Sequence, residues 1–179
     1  NAYLFFTIEF PKNYPFSPPI LTYKSQNKVR IHPNIYVNGK VCLSILGTWS
    51  GPSWTHTMDI TTVLLTIQSL LDNNPLANEP GYEKISGNNL IYENYNKIIR
   101  YNTINSLIVD RINTEFIDFD IFKNTMIEYF KKNNLYINDT IEINKNIKEN
   151  IKIGIYRIDI SIDYEYLKIK YDKLNINLN

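Results

Sequence analysis

The hydrophobic pattern of the chain starts in the manner of strands and changes to a helical period near residue 60. "YLFFTIEF", residues 3–10, is β-branched and aromatic and stops at Pro11, which predicts a strand. "PKNYPFSPP" follows with four prolines in nine positions. Proline lacks the N–H that a strand ladder needs, so this stretch predicts a rigid extended loop. "ILTYK", residues 20–24, predicts the next strand. From His32 to Trp54 there is no period, and Gly39, Gly47 and Gly51 predict loop with short turns. Ile60, Val63, Leu64, Ile67, Leu70 and Leu71 then fall on one helical face, with Asp59 or Thr57 placed to cap it. "NNPLANEPG", residues 73–81, ends that helix. A second helical pattern runs over about 90–112 through Ile91, Tyr95, Ile98, Leu107, Ile108 and Ile112. A third, over about 116–132, uses Phe116, Phe119, Phe122, Met126 and Phe130. "IKIGIYRIDISID", residues 151–163, alternates and predicts a strand or hairpin. "YEYLKIKYDKL" after it reads equally as a final helix or another strand.

Composition narrows the classes. The chain has 179 residues, 44% hydrophobic and 21% charged, which suits a packed domain or a domain with an extension. Nineteen basic against 18 acidic residues leave a net charge of +1, so no global field draws nucleic acid or an anionic membrane. The tyrosines are numerous, but their spacing makes no stacking platform for bases. One cysteine excludes an internal disulfide, and with only two histidines a structural zinc site is not expected. No apolar run is long enough for a bilayer and no signal-peptide pattern is present, so a cytoplasmic and/or nuclear location is expected. Asparagine and isoleucine are abundant throughout, which weakens any reading built on asparagine alone. The chain opens at Asn1 in strand-like sequence, and a preceding segment is expected.

Candidate chemistry concentrates in "HPNIYVNGKVCLSIL", residues 32–46, which holds the one cysteine, Cys42. A lone cysteine is usually a buried, inert thiol. A cysteine hydrolase would need a base, and only His32 and His56 are available.

Several of these segments together resemble the ubiquitin-conjugating enzyme family. "FTIEFPKNYPFSPP" is similar to its strand and proline-rich loop. "HPN" at 32–34 followed by "NGKVCLSIL" at 38–46 is similar to its active-site signature, with eight residues from Asn34 to Cys42. Trp54 and the helix at 60–71 follow in the family's order. The longer "CLSILGTWSGPSW", then "QSLL" and "NEPGYE", narrow the likeness to the class called E2 Z, in which a helical region follows the core. The fold implied is α+β, a UBC-like antiparallel sheet of four strands flanked by helices. The chain is expected to lack that fold's N-terminal helix and first two strands. Residues 1–112 would be the core, truncated at its N-terminus, and 113–179 a C-terminal extension that is helical at first. Across 136–163 no likeness remains.

The reaction implied is transthiolation and acyl transfer. Cys42 would take a modifier from an activating enzyme as a thioester and pass it to a substrate lysine or a ligase cysteine. A thiolate suits both steps, being a strong nucleophile and a good leaving group. No cofactor or metal is implied. Asn34 would donate to the oxyanion or hold the loop. His32 would support that loop with Pro33 rather than form a Cys–His dyad. Asn78, with Glu79 beside it, falls where the family positions the incoming lysine. Phe16 and Trp54 fall on the ligase-binding surface, although "WTHT" replaces the family's proline-alanine pair and argues against the usual RING docking. The implied partners are ubiquitin or a ubiquitin-like modifier, its activating enzyme, a ubiquitin ligase and a substrate protein. Two competing readings remain: an inactive fragment, and a non-catalytic module of the same fold. Retention of Cys42 and Asn34 argues against the second.

Overall fold

The structure is a computed structural model and describes residues 2–84 and 89–178. It divides into two compact units, Leu4–Tyr92 and Glu93–Asn179, the latter joined by Asn1–Tyr3.

In the first unit, β1 (Phe5–Glu9) pairs antiparallel with β2 (Ile20–Lys24), in the register Phe5↔Lys24 to Glu9↔Ile20. Alternation turns Leu21 and Tyr23 of β2 inward with Phe5 of β1. This sheet has two strands among the described residues where the family resemblance implies four, and Thr22 also bridges to Lys40. The proline-rich stretch between them is loop, folded by turns from Tyr14 N–H to Pro11 O and from Phe16 N–H to Asn13 O. Trp54 fastens it, its indole N–H donating to the Pro15 carbonyl at 2.7 Å.

α1 (Ile60–Leu70) starts at the expected cap. Thr62 N–H donates to Asp59 Oδ1 at 3.0 Å, and the Thr62 hydroxyl accepts from Asp59 N–H, a reciprocal box. The buried face is narrower than the period predicts: Val63 and Ile67 are buried, whereas Leu64 is 50% and Leu71 47% exposed. A single i, i+4 row meets the core here, not a full apolar stripe. A 3₁₀ turn, Pro75–Asn78, follows with Pro75 and Leu76 buried.

The expected helix over 90–112 starts in the last residues of the first unit and is α2 (Leu90–Ile104), a π segment Asn105–Asp110, and α3 (Arg111–Asn113). The π segment widens the turn and buries Leu107, Ile108 and Val109 in succession. α4 (Lys123–Asn144) extends well past the predicted end at 132 and buries Met126, Phe130, Ile137 and Ile141. β3 (Lys148–Ile153) and β4 (Ile158–Asp163) form the alternative hairpin, with Ile151↔Ile160 and Ile153↔Ile158 in register. α5 (Tyr164–Leu178) resolves the last segment as helix, with Tyr164, Leu167, Tyr171 and Leu174 on its buried face. No helix among the described residues is long and apolar enough to cross a membrane.

Candidate active site

The segment from His32 to Thr48 is built around backbone bonds to Cys42. Both backbone polar groups of Cys42 go to Asn34: its N–H donates to the Asn34 carbonyl at 2.8 Å, and its carbonyl accepts from Asn34 Nδ2 at 2.8 Å. Asn34 Oδ1 is buried with no hydrogen-bond partner among the described residues. In this arrangement the Asn34 side chain holds the loop. Gly39 makes the intervening turn with φ +96°, and a Cβ there would lie 3.0 Å from Thr22 Cγ2. Beyond the cysteine, Thr48 closes the loop. Its hydroxyl accepts from Leu43 N–H at 2.9 Å and donates to the Val41 carbonyl at 2.6 Å, so the residues on either side of Cys42 are pinned by one side chain.

Cys42 itself is 1% exposed. Its burial alone would suit an inert core thiol.

His32 is also 1% exposed. Its Nδ1 accepts from Asn34 N–H at 3.1 Å, which in the neutral ring leaves the proton on Nε2. Burial pushes its pKa down to about 4; Arg30 pushes the same way, while the Asp72 charge and a hydrogen bond with the Leu70 backbone oppose it. The ring is therefore neutral at pH 7 and is committed to the turn. The Asn78 side-chain amide lies 3.5 Å from His32 Nε2 and bonds to the Pro75 carbonyl at 3.3 Å. Glu79 follows, with Oε2 4.0 Å from Arg30 Nη2. The same guanidinium donates to the Pro33 carbonyl and stacks 3.5 Å over the Tyr36 ring.

His32, Pro33, Asn34, Cys42, Asn78 and Glu79 thus belong to one connected set of contacts. Phe16 and Trp54 lie outside this set, in two different ring contacts. Phe16 is 76% exposed with its ring 6.1 Å from that of His56. Trp54 is half-buried, 6.1 Å from Tyr14, with its N–H committed to Pro15. His56 is exposed. Sequence reasoning missed Thr48, whose partners are backbone groups, and Arg30, whose partners Pro33, Tyr36 and Glu79 are gathered by the fold.

A family model described as "Ubiquitin-conjugating enzyme" matches residues 1–102. The chain belongs to the ubiquitin-conjugating enzyme family. Ubiquitin-conjugating enzyme E2 Z of Homo sapiens is 46% identical over 114 residues, 62% of this chain and 31% of that protein. The E2 Z of Xenopus tropicalis is 43% identical over 116 residues, 63% of this chain and 36% of that protein. A human protein named as a dual ubiquitin-conjugating enzyme and ubiquitin-protein ligase is 44% identical over 94 residues, 49% of this chain and 2% of that protein. The match thus spans about a third of the E2 Z relatives' length. Within the family, the chain is similar to the E2 Z proteins.

Proposed function

We propose that this chain carries the thioester-forming site of a ubiquitin-conjugating enzyme, with Cys42 as acceptor. The observation that carries this reading is the reciprocal bonding of Asn34 and Cys42 in a chain of this family. In the first step the Cys42 thiolate attacks the thioester carbonyl joining the modifier's C-terminal glycine to the activating enzyme. A new C–S bond forms and the activating enzyme's thiolate leaves. In the second step a substrate amine attacks the Cys42 thioester, an amide bond forms, the C–S bond breaks, and the amine's proton is released. A ligase cysteine in place of the amine gives a second transthiolation.

The polypeptide around Cys42 supplies placement more than proton transfer. His32 is neutral and bonded to the turn, so it serves as a support and not as a base. Asn34 holds the loop at rest through its amide, and the same amide donating to the oxyanion would be a contact of the kind worth about 3–4 kcal/mol in other enzymes. Asn78 and Glu79 border the amine's approach, where a carboxylate favours an incoming ammonium. Phe16, exposed beside His56, belongs to the face offered to a ligase. The partners of this reading are ubiquitin or a ubiquitin-like modifier, an activating enzyme, a ligase and a substrate protein.

The test is charging. The chain is incubated with an activating enzyme, ATP and ubiquitin and run on non-reducing gels beside Cys42→Ser. A thiol-labile adduct that is lost, or becomes thiol-resistant, in Cys42→Ser supports the reading. A folded chain that accepts nothing from several activating enzymes and modifiers opposes it.

A further inference from the structure

We propose that Arg30 is a positioning residue that couples the two halves of the site, so that losing its guanidinium slows transfer to an amine far more than loading of Cys42. The proposal rests on the ubiquitin-conjugating reading above and concerns its second step.

The two halves come from distant parts of the sequence. One is the His32–Ile35 turn, which carries Asn34 and through it Cys42. The other is the 3₁₀ turn Pro75–Asn78 with Glu79 after it. Arg30 reaches both. Its Nη2 donates to the Pro33 carbonyl and stands 4.0 Å from Glu79 Oε2, while its Cζ lies 3.5 Å from the centre of the Tyr36 ring. The side chains of Arg30 and Glu79 are only 15% and 26% exposed, so solvent screens this pair less than an open surface pair. The ring limits where the guanidinium can sit, and a single nitrogen, Nη2, then faces both the Pro33 carbonyl and the Glu79 carboxylate. Lysine has neither the plane nor the fork.

The two steps depend on these halves differently. The bonds that fix Cys42 run to Asn34 on one side and through Thr48 on the other, and Arg30 touches this network only at the Pro33 carbonyl. Loading needs the cysteine and its loop. Transfer also needs an amine to enter beside Asn78 and Glu79, at a distance from Cys42 set by how the halves are tied. Small errors in such placement cost rate steeply.

The experiment uses the full chain with Arg30→Gln, Arg30→Lys, Glu79→Gln and the Arg30→Gln/Glu79→Gln double variant. Loading by the activating enzyme and discharge of the purified thioester to free L-lysine are timed separately. Urea midpoints are read from tryptophan fluorescence. Loading should stay within about twofold of the parent, while discharge falls about tenfold in each Gln variant and no further in the double. Arg30→Lys should recover part of the discharge, because it keeps the charge opposite Glu79. Normal discharge in Arg30→Gln, single losses that multiply in the double, or loading that falls as far as discharge would each overturn the proposal. Failure of the parent reading looks different: no thioester forms on the parent chain at all. The coupling is then read from the urea midpoints alone, where additive losses at Arg30 and Glu79 count against it.

Discussion

Acid should loosen the turn that holds Cys42, and His32 should be the cause. The ring is buried, bonded through Nδ1 to Asn34 N–H, and held neutral with its pKa near 4 against an ordinary 6.5. The folded chain therefore refuses a proton that the unfolded chain accepts below 6.5. The stability linked to this group is complete above pH 6.5 and drains away as pH falls through 6.5 towards 4. At 1.36 kcal/mol per pH unit across that interval the loss totals about 3 kcal/mol, of which about 2 kcal/mol is gone by pH 5. Both tryptophans, Trp49 and Trp54, lie in the unit Leu4–Tyr92, so their fluorescence follows this unit. Urea unfolding is measured at pH 7.5, 6 and 5 for the parent and for His32→Asn. Asparagine offers an oxygen where Nδ1 accepts from Asn34 but does not titrate. The parent should lose about 2 kcal/mol more than the variant between pH 7.5 and 5. Parallel pH profiles for the two proteins would refute the assignment of a neutral, buried His32.

Thr48→Val removes the hydroxyl that serves Leu43 N–H and the Val41 carbonyl, and should cost about 1–3 kcal/mol in urea unfolding while slowing loading of Cys42. Trp54→Phe keeps most of the ring but frees the Pro15 carbonyl, and should cost about 1 kcal/mol, seen as a lower midpoint by circular dichroism. Cys42 is the only thiol and is 1% exposed, so the native chain should react with a disulfide reagent at least about tenfold more slowly than the urea-unfolded chain. Equal rates would show that the thiol is open in solution.

Much of the site was legible because its signals are local. The β2 strand, Ile20–Lys24, coincides with the apolar run that predicts it, and Asp59 caps α1 as its side-chain type requires. The turn sequence around Asn34 and Cys42 stood out by its resemblance to the family's signature, and the fold bonds these two residues to each other. What stayed hidden depends on distant or backbone partners. Thr48 bonds backbone groups beside Cys42, and Arg30 meets Glu79, which folding brings near. The end of α4 was misplaced because Asn133, Asn134 and Asn138 interrupt the apolar pattern, while Ile137 and Ile141 still bury and carry the helix on. The π segment left no trace, since Leu107, Ile108 and Ile112 also satisfy an ordinary helical period. Leu64 and Leu71 show the reverse error: their spacing fits an apolar stripe that the unit does not cover.

The central claim is that Cys42 receives an acyl group. The most direct measurement is intact-mass and peptide mapping of the chain after incubation with ubiquitin, activating enzyme and ATP, quenched without thiol. The account predicts one ubiquitin per chain, linked at Cys42 and released by added thiol. A ubiquitin attached elsewhere while Cys42 stays free, or a folded chain carrying none, would contradict it.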